Sequence, residues 1–547
     1  MTQPLDAPRE VAGSAAAERR MRALPWLPLL LYAALSVGLW KPFRYIMYKD
    51  ELSFVTIAER YAQGLWASAP NAFWPPLLSW LEALALRTGL PMEVAVKSLS
   101  LLIGVLAYVA LQRLFAAIGV QRVMRSWFSL AAVPLLFYCA VFASGADLLL
   151  AALLTLYFSL VLRPVPDGQR ALRWGIACGV LGALLYFCKG YALYFFVAHF
   201  AFVTVVNLRT STTSRERRTV VTGAAVAMGT VAFLVAGWVG ALHHKYGITT
   251  LGVIGPYNFM MRNPDLPGSA DEPVPPLTYV GLVEPPATTT ISVWEEPYYV
   301  YKMLKPWSPF DSRRALRHQL GLMRASVEAT LAAFNEFTLF WLAIVSAIVL
   351  LWLGPAGTGE RRVLGIVLVT TVLYPSGYWL LHTEERFMWP VWIMFISLAA
   401  LLMQKLWTAD WLRVKWSRWV IVPLVALSFV IHPVRELRQR ANAANDIHAL
   451  EELVAQEGLT NARIASNWDY GGSIILAYYV HAKYYGQPKT PANIPSVEQE
   501  LLKNNIDYYL VWRGDTVESS ILQKKKDLQV RARKLSIYTV RKPGAAN

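Results

Sequence analysis

Five short polar segments interrupt an otherwise apolar chain, and each holds residue types able to do chemistry. The first is Lys49-Asp50-Glu51, two adjacent carboxylates heading a stretch in which Phe54, Ile57, Ala58, Tyr61 and Leu65 recur at helical spacing. That periodicity predicts an amphipathic helix lying in the membrane interface, with the acidic pair at its N-terminal end. A carboxylate there can accept a hydroxyl proton, or it can simply cap the helix and complement its dipole. The second is Phe73-Trp74-Pro75-Pro76-Leu77-Leu78, a rigid double proline beside large aromatics, which reads as a turn with an interfacial anchor. Asp147, in Ser144-Gly145-Ala146-Asp147, stands where an apolar run begins, and has a second reading as a helix-start residue. Lys189, in Phe187-Cys188-Lys189-Gly190-Tyr191, lies between two apolar runs with no acidic neighbour in sequence. A charge so placed is either functional or a lysine snorkelling to the headgroups. The fifth segment, His382-Thr383-Glu384-Glu385-Arg386, puts both signs of charge into one turn.

The elements that must position these groups are membrane-spanning helices. The chain of 547 residues is 55% hydrophobic and 13% aromatic, with a mean hydropathy of +0.37 and only 16% charged residues. Its apolar residues gather into runs of about 17 to 25, each long enough to cross roughly 30 Å of hydrocarbon. The expected fold is a polytopic α-helical membrane protein of about eleven spans: 24–41, 94–117, 127–143, 147–162, 173–188, 190–207, 219–241, 332–353, 363–381, 387–404 and 417–432. The net charge of +16 sits in short clusters between runs, a distribution that signals membrane orientation rather than nucleic-acid binding. Arg19, Arg20 and Arg22 precede the first span, and Arg122 and Arg125 lie between the second and third. Arg163, Arg170 and Arg173 flank the fourth and fifth, and Arg209, Arg215, Arg217 and Arg218 follow the sixth. Arg361 and Arg362 follow the eighth, and Arg413, Lys415 and Arg418 follow the tenth. With a cytoplasmic N-terminus, every cluster falls inside.

This threading divides the chain into a disordered cytoplasmic tail (1–23), a membrane domain (24–432) with long outer loops at 42–93 and 242–331, and a small extracytoplasmic α/β domain (433–547). The first span reads as an uncleaved signal anchor, because Lys41-Pro42-Phe43-Arg44 follows it in place of a small-residue cleavage pattern. In the last domain, helix-like 450–456 and 497–504 alternate with strand-like 463–466, 508–512 and 536–541. Cys139, Cys178 and Cys188 lie in or beside apolar runs, with no disulfide or zinc spacing, and read as packing residues.

All five polar segments fall on the outer side of the membrane. Together they supply what glycosyl transfer from a lipid phosphate needs: a carboxylate to deprotonate an acceptor hydroxyl, and cations such as Lys189 and Arg386 to stabilise a leaving phosphate. The sequence resembles the GT-C glycosyltransferase superfamily, in particular the protein O-mannosyltransferase and lipid A aminoarabinose transferase group. The resemblance runs from residue 24 to about 405 and rests on Asp50-Glu51, Pro75-Pro76-Leu77, Asp147, Lys189-Gly190, and Glu385-Arg386-Phe387 leading into Met388-Trp389-Pro390. It implies transfer of one sugar, with inversion, from a polyprenyl-phosphate donor to an envelope glycan, lipid or protein acceptor at the periplasmic face of a bacterial inner membrane. By the same resemblance, Asp50 matches the catalytic base and Glu51 and Asp147 match supporting acids. Lys189 and Arg386 would face the donor phosphate, with His382 and Glu385 as further substrate or metal contacts. Relatives commonly place His or Lys before the double proline, where this chain has Trp74. Trp74 can stack on a sugar or anchor in the interface but cannot neutralise a phosphate, which shifts that burden to Lys189 and Arg386. No cofactor is required by a monophosphate leaving group with cationic partners; Mg or Mn is the alternative. Two other functions fit parts of the pattern. A flippase for lipid-linked sugars would place charges near the membrane midplane. An oligosaccharide ligase with a pyrophosphate donor would hold a metal between Asp50, Asp147 and a third ligand from His243, His244, Glu295 or Glu296.

Overall fold

The computed structural model describes residues 26–142, 145–266, 280–287, 290–354, 357–408, 415–489, 493–515, 517–531 and 533–542. The expected tail at 1–23 lies outside the described residues. Seven helices are long and apolar enough to cross a membrane: Met92–Ala117, Arg122–Phe142, Gln169–Cys188, Tyr191–Thr210, Ser214–Tyr246, Glu385–Trp407 and Trp419–Ala455. The protein is therefore a multi-pass membrane protein, and each of the seven overlaps an expected span.

The other four expected spans are helical in a different way. Leu27–Gly38 has 12 residues and Gly145–Val161 has 17, short of a full crossing. Thr358–Trp379 is long, but Glu360, Arg361 and Arg362 in its first turns dilute its apolar character. The expected span 332–353 is broken: Arg313–Phe337 and Trp341–Leu353 meet at 97°. The break is built at Thr338, which is extended (φ −142°, ψ 132°), accepts a hydrogen bond from the Phe340 N–H at 3.3 Å, and shares another with Ser428 at 2.9 Å. Counted as one span, the pair brings the total to eight.

Small residues set the closest helix approach. A Cβ added at Gly175 or Gly179 would sit 2.5 Å from the Gly223 or Ala227 carbonyl oxygen of the Ser214–Tyr246 helix. Such contact is how helices gain dispersion energy in lipid, where burial of apolar surface drives little. The described core is aromatic, with Trp389, Trp392, Tyr157, Phe128 and Phe137 among its fully buried side chains.

The amphipathic Lys49–Ala62 helix does not lie open in the interface, as its one apolar face suggested. Glu51 through Ala58, Arg60 and Tyr61 are all buried, because other elements cover it on several sides. The Pro76–Leu86 helix packs along it, and the 3₁₀ turn Val293–Glu295 of the second outer loop covers another face. The C-terminal domain closes a third: the Tyr478 hydroxyl donates to Glu59 at 2.6 Å, and Tyr479 donates to Glu93 beyond the helix at 2.7 Å. That domain is a five-stranded sheet ordered β2-β1-β3-β5-β4, where β1 is Arg463–Ser466, β2 Lys483–Tyr484, β3 Tyr508–Trp512, β4 Leu522–Val530 and β5 Arg533–Val540. β1 pairs parallel with β2 and β3, and β5 pairs antiparallel with β3 and β4. Strand β4 escapes a sequence reading because Lys524, Lys525 and Lys526 interrupt its pattern; charges of this kind protect an edge strand from further pairing.

Candidate active site

Arg386 is the hub of a cluster of charged side chains. It sits in the 3₁₀ turn Glu385–Met388, just before the Trp389–Thr408 helix, so its position is set by two rigid elements in series. Its Nη2 donates to Asp50 Oδ2 at 3.0 Å and its Nε to Glu384 Oε2 at 2.7 Å, with Asp147 Oδ2 at 3.5 Å from the same Nε. Lys189 Nζ donates to Asp147 Oδ1 at 2.7 Å and lies 3.6 Å from the Phe387 ring centroid. A cation over an aromatic face gains from the ring quadrupole.

Local structure explains why each acid arrives where it does. Asp50 and Asp147 both occupy first turns, of Lys49–Ala62 and Gly145–Val161. The helix dipole favours carboxylates at both places, so the structural reading and the functional one hold together. Lys189 is the extended residue (φ −154°, ψ 121°) that ends Gln169–Cys188 before the next helix begins at Tyr191. The break between two apolar helices lets its ammonium reach the cluster. The side chain of Asp50 keeps 17% of its surface exposed and that of Asp147 only 6%.

Glu51, one residue along the helix from Asp50, points elsewhere. It is buried, 4.0 Å from Lys97 Nζ, which itself donates to the Ile46 carbonyl at 2.8 Å. Burial raises the Glu51 carboxyl above the usual range, opposed in part by Lys97 and by a backbone hydrogen bond at Tyr48. Glu385 likewise faces away from its neighbour Arg386. It accepts from the Tyr138 hydroxyl at 2.7 Å and meets His432 Nε2 at 3.1 Å. His382 Nε2 bonds Glu384 Oε1 at 3.1 Å, on the rim of the cluster. Trp74 is buried among Phe54, Phe73 and Trp294, its indole N–H donating to the Trp294 carbonyl at 3.0 Å. It presents no face to a sugar and does not anchor in the interface.

Glu384, His432, Tyr138 and Lys97 were missed in the sequence. His432 and Lys97 had a legible signal, since each is an ionisable side chain at the end of an apolar run. Glu384 had none beyond its place in a charged turn.

Three of the four residues suggested for a third metal ligand, Glu295, Glu296 and His243, are otherwise engaged, and His244 is exposed. Arg60 bridges Glu295 and Glu296, and Lys245 donates to Glu296 at 2.6 Å, while His243 bonds Thr249 at 3.2 Å. Between Asp50 and Asp147 stands the Arg386 guanidinium, so these carboxylates do not form a cation's ligand set. Among the described residues, Glu336, Glu385 and His432 are close enough together to hold an ion, but Arg435 already bonds both Glu336 and His432.

Solved structures share this architecture. ArnT from Cupriavidus metallidurans in the apo state matches with a TM-score of 0.52 at 13% identity, over 94% of this chain and 98% of that one. The archaeal oligosaccharyltransferase AglB from Archaeoglobus fulgidus, in complex with an inhibitory peptide and a dolichol-phosphate, matches with a TM-score of 0.54 at 12% identity, over 89% of this chain and 69% of that one. The chain has the GT-C fold. ArnT bound to undecaprenyl phosphate matches over the same shares, at 13% identity and a TM-score of 0.50. No family model and no curated protein matches the chain.

Proposed function

We propose that this protein transfers a single sugar, with inversion, from a polyprenyl-phosphate donor to an acceptor hydroxyl at the outer face of the membrane. The observation that carries this reading is the convergence of Asp50, Asp147, Lys189 and Arg386, from four separate stretches of chain, within direct contact of one another. Asp50 acts as the general base: it is the carboxylate of the cluster that sits both in a helix first turn and partly open to solvent. Lys189 and Arg386 stabilise the phosphate as the glycosidic bond breaks and negative charge develops on it. Asp147 holds the two cations close together, accepting from Lys189 at 2.7 Å and pairing with Arg386 at 3.5 Å. The Phe387 and Tyr378 rings flank Lys189 and keep its environment apolar, which strengthens its pull on an anion.

A monophosphate donor suits this geometry better than a pyrophosphate one, because fixed cations, rather than a cation's ligand set, stand among the acids of the cluster. The acceptor approaches from the C-terminal domain. Lys49, next to the proposed base, lies 5.2 Å from the Trp294 ring and 6.0 Å from that of Tyr470, at the start of the domain's Tyr470–Tyr479 helix. ArnT bound to undecaprenyl phosphate and AglB in complex with a peptide and dolichol-phosphate support donors and acceptors of these classes. The protein resides in a bacterial inner membrane on this reading, and the charge clusters of the short loops support a periplasmic site and C-terminal domain.

The test is transfer of label from a polyprenyl-phosphate-sugar pool to native envelope extract by purified protein. Wild type moves label, and Asp50→Asn loses transfer by about 10²- to 10⁴-fold while retaining donor binding. Equal transfer by both proteins removes Asp50 as the base. Donor binding without transfer by either, across a broad donor set, favours a flippase.

A further inference from the structure

The cluster holds more negative than positive charge for a site meant to receive a phosphate. Two cations, Lys189 and Arg386, face three carboxylates, Asp50, Asp147 and Glu384. A guanidinium binds phosphate best through its Nε–H and the N–H beside it, as a two-pronged fork. Here both prongs are taken, Nε by Glu384 at 2.7 Å and Nη2 by Asp50 at 3.0 Å. For a phosphate to reach the Nε prong, Glu384 must leave it.

The three acids differ in how firmly they are held. Asp50 and Asp147 belong to helix first turns, with side chains 17% and 6% exposed. Glu384 lies in the extended link (φ −113°, ψ 154°) just before the 3₁₀ turn, and its side chain is 36% exposed. It can therefore rotate out to solvent without moving a helix. Its carboxylate spans Arg386 through Oε2 and His382 through Oε1, as two oxygens of a phosphate would.

Resting on the donor reading above, we infer that Glu384 is an internal stand-in for the donor phosphate: it occupies the anion position on Arg386 and His382 until the donor displaces it. Although burial opposes the effect, Arg386 and then His382 hold the Glu384 carboxyl well below the usual range, so it competes as a full anion at any working pH. The arrangement does two things. It keeps Arg386 in its productive orientation while no donor is bound, and it sets an affinity threshold that weakly held phosphates do not pass.

The test is binding of sugar-free undecaprenyl phosphate to the full chain in nanodiscs, for wild type, Glu384→Gln, Glu384→Ala and Arg386→Gln. Removing the competing carboxylate makes both Glu384 variants bind about tenfold tighter than wild type, while Arg386→Gln binds more weakly. Tighter binding is a gain that a misfolded variant cannot imitate, and two different replacements guard against an effect of one side chain. If both Glu384 variants bind no tighter than wild type while Arg386→Gln still weakens binding, Glu384 is not the stand-in and the donor reading survives. If wild type and every variant fail to bind the lipid, the donor reading and this inference fall together.

Discussion

Asp50 and Glu51 are adjacent in sequence and about 100° apart on a helix, and that rotation separates their fates. One carboxylate meets Arg386; the other is buried beside Lys97. Glu385 and Arg386 divide in the same way, one turning to Tyr138 and His432 and the other to the acids of the cleft. Residue types in a row can nominate a site, but which of two neighbours enters it depends on backbone direction. At this scale Lys189 gives the most direct check. Lys189→Gln lowers kcat/KM for transfer by about 10²- to 10³-fold, read from steady-state kinetics with the donor lipid varied. If the cation acts chiefly on the developing charge, kcat carries most of that loss; a rise in KM alone assigns Lys189 to ground-state binding.

Among the elements, the Lys49–Ala62 helix is the one whose position everything else defends. Its Arg60 is 3% exposed and ion-paired to Glu295 and Glu296, both buried, so the helix is riveted to the second outer loop. Lys245 and the Tyr246 hydroxyl add further bonds to Glu296 from the end of the Ser214–Tyr246 helix. Arg60→Ala leaves the buried Glu295 carboxylate without its cation and costs about 3–5 kcal/mol, measured as lost thermal stability in detergent. Arg324→Ala, which breaks the Arg324–Glu328 pair whose side chains are 81% and 61% exposed, leaves thermal stability essentially unchanged, because solvent screens such a pair. Comparable losses in both would mean that the loop network does not hold the helix. The amphipathic pattern of this helix was legible in the sequence. Its burial was not, since two of the three covering elements, the Val293–Glu295 turn and the C-terminal domain, lie more than two hundred positions away.

For the whole molecule, the sheet domain and the charged cluster lie on the same side of the helical bundle, because Tyr478 bonds to Glu59 of the Lys49–Ala62 helix and Tyr479 to Glu93 beyond it. The three cysteines, Cys139, Cys178 and Cys188, are buried, so a membrane-impermeant thiol reagent meets little background. In intact cells, Arg513→Cys in the sheet domain labels from outside. Arg170→Cys, between the fourth and fifth expected spans, labels only after permeabilisation. Labelling of both from outside overturns the threading drawn from the basic clusters; labelling of Arg170→Cys alone inverts it.

By itself the sequence determined that this is a multi-pass helical membrane protein with a small C-terminal sheet. Long apolar runs have no stable alternative in lipid, and basic clusters at alternate ends order them. It also nominated Asp50, Asp147, Lys189 and Arg386, because their order and common side of the membrane carry the family resemblance. Only the tertiary structure decided that these four meet, that Glu51, Glu385 and Trp74 turn away, that 332–353 bends at Thr338, and that Glu384 stands on Arg386. The division has one physical cause. Hydrophobicity and periodicity are local sums along the chain, whereas a charged contact needs two side chains within about 4 Å, and in this fold Asp50 meets Arg386 and Asp147 meets Lys189 only through folding.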